Sequence, residues 1–290
     1  MAAATRDHWT RVHSIGLLVV VVIIVLVGLS AANLKLDPNA PAPAHWYGTM
    51  LLLLLFIVIA GHGTCGRLFG FLIDERNKMT LSRLQLILWT VLVLSAYLTV
   101  VLARIESQGI AALSVAIPQQ VWWLLGISTA SMVGSPLILS NKKQQVVDAK
   151  EKERNVSLLA AEVTADQQPA GDKKPVGTIG AVVVNASPRQ ARFADLFRGD
   201  ETGNGTSLDL GKVQMFFFTI VIVLTYAFVL GKGFSGMLGA TAEFPPLDQG
   251  MVALLGISHA GYLSHKAVPH SARSSDNVEL GETPDPPPKE

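Results

Sequence analysis

His259 is the only histidine, lysine, arginine, aspartate or glutamate deep inside a long apolar run of this sequence. A titratable group is costly in lipid and histidine exchanges protons near neutral pH, so His259 is a candidate proton or ion site. The alternative is a neutral imidazole that hydrogen-bonds across a helix interface. The residues that we group with His259 as a candidate ion or proton path occupy matched positions of two apolar segments: Gln85 and Gln214, Thr90 and Thr219, Tyr97 and Tyr226. As alternatives to an ion or proton path, the glutamines could anchor the helices at the membrane boundary, and the threonines and tyrosines could form interhelical hydrogen bonds.

A second group of residues could mediate close helix packing. Residues 124–130 read LLGISTA and residues 254–260 read LLGISHA. Small residues recur every four positions in both segments, which places them on one helix face. Because such faces let helix backbones approach closely in a membrane, we expect packing here, with a conduction path as the alternative. The predicted packing residues are Gly126, Ser128, Ala130 and Gly134, and Gly256, Ser258, Ala260 and Ser264.

Oxygen-bearing side chains cluster in the segment DETGNGTSLDLGK, which supplies Asp200, Glu201, Asn204 and Asp209. Such ligands suit calcium, but the EF-hand spacing is absent. A turn at Asn204-Gly205 and a capped helix start at Ser207 or Asp209 is the favoured interpretation. The sequence also lacks the P-loop, HExxH, GxSxG and kinase motifs. We therefore expect no enzyme activity, no cofactor and no metal.

Long apolar runs must position these groups. Half of the residues are apolar and 16% are charged. A helix crosses the hydrocarbon core with about 20 mostly apolar residues, and helices satisfy the backbone polar groups in lipid. Six runs reach or approach that length: Ser14–Ala32, Tyr47–Gly61, Leu84–Ala103, Val121–Leu139, Val213–Gly231 and Met251–Leu263. The sequence therefore predicts an all-α polytopic membrane protein with six transmembrane helices.

The distribution of lysine and arginine predicts the orientation. Twenty of the 23 basic residues fall in the two tails and in connections 61–83 and 140–212, and three fall in the alternate connections. Because cytoplasmic loops carry the excess of basic residues, we expect both termini in the cytoplasm, and a bacterial inner membrane as the setting. The first run could instead be a signal peptide that is cleaved after the small residues 30–32, but its length favours a retained helix.

The two heptapeptides belong to a longer internal repeat. Residues 81–97 align with residues 210–226 without gaps. Each copy holds two helices of one orientation, so helices 3-4 and 5-6 are predicted to form a parallel tandem repeat. The predicted divisions are the N-terminal tail and first hairpin (1–66), repeat unit 1 (67–140), a short cytoplasmic insertion of helix and linker (141–191), repeat unit 2 (192–264) and a disordered tail (265–290).

The connection between the repeats has its own expected features. Residues 141–163 should continue the fourth helix out of the membrane, and residues 176–187 predict one short strand. So few apolar residues cannot form a large independent core. We therefore expect the insertion to dock on the bundle or on a partner.

Three functions are compatible with these features. The favoured one is a non-catalytic membrane scaffold or anchor that recruits partners through its cytoplasmic insertion. A small channel or transporter, with a path between the duplicated pairs or at an oligomer axis, is the alternative, and a membrane enzyme is disfavoured. The expected partners are the lipid bilayer and either further copies of the chain or a cytoplasmic protein, without nucleic acid.

Overall fold

The computed structural model describes residues 8–33, 43–166, 175–236 and 244–272. Residues 167–174 of the predicted insertion (141–191) and residues 273–290 of the predicted tail (265–290) lie outside these ranges. The helices within them are α1 (Arg11–Asn33), α2 (Pro43–Cys65), α3 (Leu81–Gln108), α4 (Gln119–Lys142), α5 (Ala149–Asp166), α6 (Leu210–Gly236) and α7 (Gln249–Ala267), and the strands are β1 (Val176–Ile179) and β2 (Val182–Asn185).

Four helices contain segments that are long and apolar enough to cross a membrane: His45–Cys65, Leu81–Leu102, Gln119–Lys142 and Leu210–Phe234. The protein is therefore mostly helical, as predicted, and compatible with a membrane protein. The first and sixth predicted runs lie in α1 and α7. Their crossing of the membrane stays a prediction.

Helices α3, α4, α6 and α7 form the centre of the bundle. Helices α3 and α7 each pack against both α4 and α6. Their shared core includes Trp89, Leu124 and Leu255, all fully buried. Helix α2 packs outside α3, where the indole N–H of Trp46 donates to Ser95 Oγ at 3.0 Å. Burial of these apolar faces aligns the polar side chains described below.

Helix α4 ends at Lys142, which corrects the prediction of one helix that continues into the insertion. The chain turns there because the backbone carbonyl of Lys142 accepts a hydrogen bond from the N–H of Ala181 (3.1 Å). A new helix, α5, follows. The Asp148 side chain accepts a hydrogen bond from the N–H of Glu151 (2.8 Å), as a helix N-cap does.

The segment predicted as one strand is a hairpin of two antiparallel strands, β1 and β2. Gly180 makes the reversal possible, since its φ of 57° is a left-handed conformation that residues with a Cβ rarely adopt. A Cβ atom there would also lie 2.3 Å from the carbonyl oxygen of Lys143. The sequence pattern showed the β-branched residues of both strands but not this turn.

The insertion is held by two small apolar cores. In one, α5 packs on the hairpin through Leu159, Val163, Val176 and Val183. The other joins the segment before α3 to the segment before α6, and its buried members are Leu72, Ile73, Met79, Ala191 and Leu196. The connection therefore folds against the bundle.

The segments that lead into α3 and α6 make corresponding contacts. In each, the residue before the helix donates its N–H to an upstream carbonyl, and a basic side chain in the first helical turn donates to the next carbonyl. The donor and acceptor pairs are Thr80 to Leu72 (2.9 Å) and Arg83 to Ile73 (2.6 Å) before α3, and Asp209 to Phe197 (2.8 Å) and Lys212 to Arg198 (2.5 Å) before α6. Isolated bridges pair Ile73 with Met79 and Arg198 with Leu208. The entrances of α3 and α6, meaning the segments that lead into these helices, therefore share the same pattern of hydrogen bonds.

A close backbone approach between α2 and the segment after it gives a first prediction. A Cβ on Gly70 would lie 2.1 Å from the carbonyl oxygen of Gly61, whereas a Cβ on Gly126 would meet nothing within 4 Å. Gly70→Ala should lower the free energy of unfolding by about 1–3 kcal/mol, because backbone must move. Gly126→Ala, the control, should leave it unchanged or raise it by up to about 1 kcal/mol. Unfolding in detergent, followed by tryptophan fluorescence, measures both. Equal stability of the two variants would contradict the close approach.

Candidate functional site

A buried polar cluster, here the His259 cluster, joins the four central helices through Gln85, Ser131, Thr219 and His259. His259 Nε2 lies 3.1 Å from Gln85 Nε2, and His259 Nδ1 lies 2.5 Å from Ser131 Oγ. Gln85 Nε2 also donates to Thr219 Oγ1. All four residues are at most 3% exposed. Helices α3, α4, α6 and α7 each contribute one of these side chains.

The orientation of the Gln85 amide sets the tautomer of the imidazole in the His259 cluster. Because an amide nitrogen can only donate, Nε2 of His259 accepts, and the ring proton sits on Nδ1 and points to Ser131. The ring in this arrangement is neutral. The Gln85 Oε1 atom is buried and has no hydrogen-bond partner within the described ranges. The cluster thus retains one free acceptor inside the bundle.

The other candidate path residues lie apart from this cluster. Gln214, the repeat counterpart of Gln85, is exposed on α6, and Thr90 is half-buried. Tyr97 donates its hydroxyl to the carbonyl of Leu113 (3.3 Å), and Tyr226 donates to that of Pro245 (3.1 Å). Each tyrosine therefore anchors the connection that follows its own helix.

The predicted packing residues divide between two environments. Helices α4 and α7 pack together, and Ser128 and Ser258 are buried there, although neither hydroxyl has a partner in the described part of the chain. A Cβ on Gly134 would contact Leu263 and one on Gly256 would contact Ile127. The remaining members are exposed in the single chain: Gly126, Ala130, Ala260 and Ser264.

A second buried group, here the Asp200 cluster, consists of Arg76, Asp200, Lys212 and Lys266. The Asp200 carboxylate forms ion pairs with Arg76 (2.7 Å), Lys266 (2.7 Å) and Lys212 (3.1 Å). Every member is less than 10% exposed. Burial by itself would raise the pKa of Asp200, but the cations around it lower that pKa well below its usual value. The carboxylate is therefore ionised and holds three chain segments together.

The neighbouring carboxylate of Glu201 makes a further buried junction. It pairs with Lys142 at the end of α4, and it accepts a hydrogen bond from the N–H of His270 (2.9 Å). Asn204 Oδ1 accepts from the N–H of Glu201 (3.0 Å), and Asp209 Oδ1 accepts from the N–H of Lys212 (3.1 Å), as a helix N-cap. The four side chains that could suit calcium are thus bonded to protein groups. No group of three potential metal ligands occurs among the described residues.

Further polar side chains of α4 and α7, here the polar line, lie between the two clusters. Lys266 Nζ, which pairs with Asp200, also lies 2.5 Å from Ser135 Oγ and 2.9 Å from Tyr262 Oη. His259, Tyr262 and Lys266 share one face of α7, and Ser131 and Ser135 share one face of α4. Sequence reasoning found Gln85, Thr219 and His259 but missed this line. The serines of α4 at positions 128, 131 and 135 were the available signal.

The charges of the Asp200 cluster yield a stability prediction. Asp200→Asn should lower the free energy of unfolding by about 3–5 kcal/mol, because the buried cations Lys212 and Lys266 lose their counter-charge and Arg76 keeps only its pair with Asp74. Glu75→Gln is the control, since its pair with Lys143 (3.3 Å) is partly exposed and should contribute less than about 1 kcal/mol. Denaturant unfolding in detergent at neutral pH measures both variants.

The same variant has a testable acid profile. The pKa of Asp200 is lower in the folded protein than the value near 3.9 expected on unfolding. Its stabilising contribution is therefore complete above about pH 4 and is lost as the pH falls below that value. The native protein should lose more stability in this range than Asp200→Asn. Parallel profiles for the two proteins would show that the cluster does not hold the fold.

Comparison of the chain with protein-family models, with curated proteins and with solved structures found no match.

Proposed function

We propose that this protein is a non-catalytic membrane scaffold that recruits a partner protein through its insertion at residues 141–191. The observation that carries the proposal is the attachment of the segments flanking this insertion to the bundle. Asp200 and Glu201 form buried ion pairs with the end of α4, the start of α6 and the end of α7. A folded unit held by three helix ends presents a fixed surface, as recruitment of a partner requires.

The topology that we propose has six spans, with both termini and the insertion in the cytoplasm of a bacterial cell. At about 1.5 Å per residue, the 23 residues of α1 would extend over roughly 34 Å, enough to cross the hydrocarbon core. Helix α7 is more polar, but its polar side chains His259 and Lys266 are buried inside the bundle. The basic residues support the orientation.

The proposed evolutionary unit is a helix pair that occurs twice, as α3-α4 and α6-α7. The corresponding contacts at the entrances of α3 and α6 support a duplication, since they involve aligned donors. The matched roles of Tyr97 and Tyr226 support it as well. Small residues exposed on α4 and α7 would suit contact with a second copy of the chain.

The partner surface that we propose lies between α5 and β1. A cavity of about 700 Å³ opens there, lined by Ala149, Lys152, Glu153, Val156, Ser157 and Ala160 of α5 and by residues 176–178 of β1. Strand β1 pairs with β2 alone within the described sheet. An apolar floor with charges at the edge suits a peptide segment of another protein.

Two adjacent positions of α5 test this surface. Ser157 is exposed and lines the cavity, whereas Leu158 is 52% exposed and does not. Ser157→Arg should abolish recovery of a cross-linked cytoplasmic partner from native membranes, because the long charged side chain projects from the lining of the cavity and obstructs the partner segment. Leu158→Arg should leave recovery unchanged and controls for charge. Mass spectrometry of the cross-linked complexes provides the measurement. Equal recovery with both variants would remove the α5-β1 surface from the proposal.

A small channel or transporter is the second candidate, and the His259 cluster favours it. Polar groups of all four central helices converge there, and Gln85 Oε1 lacks a partner in the described chain. On the same helix faces, Ser135 contacts Lys266, which pairs with Asp200 at the helix ends. Intramembrane groups of this kind mark ion and proton pathways in other proteins.

Flux through liposomes separates the two candidates. A channel predicts proton or ion flux that Gln85→Leu and His259→Leu both reduce at least about tenfold, because each removes a group of the cluster. Gln214→Leu, at the exposed repeat counterpart, should leave that flux unchanged. Absence of flux under proton, ion and voltage gradients would contradict the channel and leave the scaffold as the proposed function.

A further inference from the structure

The entrance of α3 differs from that of α6 in one respect. Asp209 caps α6 by accepting the N–H of Lys212, whereas Thr80, at the corresponding position before α3, makes no capping bond with its side chain. The first N–H groups of a helix have no partner inside the helix and carry a partial positive charge. The start of α3 therefore lacks the side-chain cap that occupies one N–H at the start of α6.

An unpartnered side chain lies at the same place. Ser82, in the first turn of α3, is 4% exposed, and its hydroxyl has no hydrogen-bond partner in the described chain. Buried polar groups nearly always have a partner, so an isolated one needs an explanation. Ser82 also lines a cavity of about 200 Å³, far above the roughly 10–15 Å³ that one water molecule requires.

The cavity lies between the first turn of α3 and the last turns of α4. Both regions are ends of candidate membrane spans, so the cavity is placed at the membrane boundary. Its lining is mixed: Ser82 and Arg83 of α3 and Ser135 of α4 are polar, and Met132, Pro136 and Leu139 of α4 are apolar. A cavity with both polar and apolar lining at this depth matches a lipid where its headgroup meets its acyl chains.

The charged groups around the cavity are of both signs. Arg83 supplies a cation, and Lys266 contacts Ser135 Oγ from the side of the bundle. Asp74 and Glu75 line the rim. Asp74 pairs with Arg76 (2.8 Å), while the Glu75 side chain is 55% exposed and pairs with Lys143 at 3.3 Å. Because the Glu75 carboxylate is more than half exposed, it can pair with a further cation, so a group with a phosphate and an ammonium matches Arg83 and Glu75 at once.

We propose that this cavity binds the phosphoethanolamine headgroup of a membrane phospholipid. The phosphate lies at the start of α3, where Ser82, Arg83 and the free N–H groups donate to it. The ammonium group lies against Glu75 at the rim, and the acyl chains follow Met132 and Leu139 outward. The site is independent of the scaffold function, since it lies apart from the α5-β1 surface.

Lipid titration of the full-length protein in detergent, followed by native mass spectrometry, tests the site. The probes are phosphatidylethanolamine, phosphatidylcholine and phosphatidylglycerol with identical acyl chains, and inorganic phosphate as competitor. The wild type should retain one phosphatidylethanolamine and bind it about tenfold more tightly than phosphatidylcholine. Inorganic phosphate at millimolar concentration should not displace the lipid.

Two variants and one control separate recognition from folding. Thr80→Asp gives α3 the cap that Asp209 gives α6, so the protein should fold while the carboxylate occupies the phosphate position. Thr80→Asp and Ser82→Ala should each weaken lipid binding at least about tenfold. Ser128→Ala removes another buried, unpartnered hydroxyl far along α4 and should bind as the wild type does.

Three results would overturn the proposal. Unchanged binding by both Thr80→Asp and Ser82→Ala would show that the start of α3 does not hold the lipid. Equal affinity for phosphatidylethanolamine and phosphatidylcholine or phosphatidylglycerol would remove the role of the rim carboxylates. Displacement by inorganic phosphate would assign the cavity to a soluble phosphate instead of a lipid.

Discussion

The fold depends on the carboxylate of Asp200. Its three ion pairs draw together the segment before α3, the start of α6 and the end of α7. These contacts are stabilising only as a set, since a buried charge is tolerated when its partners surround it and is costly when one is missing. Because Arg76 also pairs with Asp74, which lines the cavity at the start of α3, the ion-pair network reaches that cavity.

Much of the helical architecture follows from the sequence because lipid leaves few choices for long apolar runs. Four of the predicted runs coincide with long apolar helices of the structure. The break after Lys142 could not be predicted in this way, since residues 141–163 favour helix locally and the turn depends on contacts with Ala181 and Glu201. The sequence predicted one strand instead of the hairpin, because the reversal of the chain between the two strands depends on the backbone conformation of Gly180.

The polar side chains of the candidate site were also only partly predictable from the sequence. Polarity inside an apolar run was enough to select Gln85, Thr219 and His259, which the structure brings together. Ser131 was missed because serine is common in membrane helices and only its neighbour across the helix interface distinguishes it. The repeat alignment equates Gln85 with Gln214, yet one is buried and the other exposed. Helix α3 is also covered by α1 and α2, so aligned positions need not have the same surroundings.

The position of Lys266 near the end of the chain constrains when the protein can assemble. Two partners of Asp200 are synthesised before it or soon after it: Arg76 and Lys212. The third partner, Lys266, emerges only after α7 has been made. Until then the loop between the hairpin and α6 carries a buried junction that is incomplete. A chain that stops before α7 therefore lacks one of the ion pairs that fix this loop to the bundle.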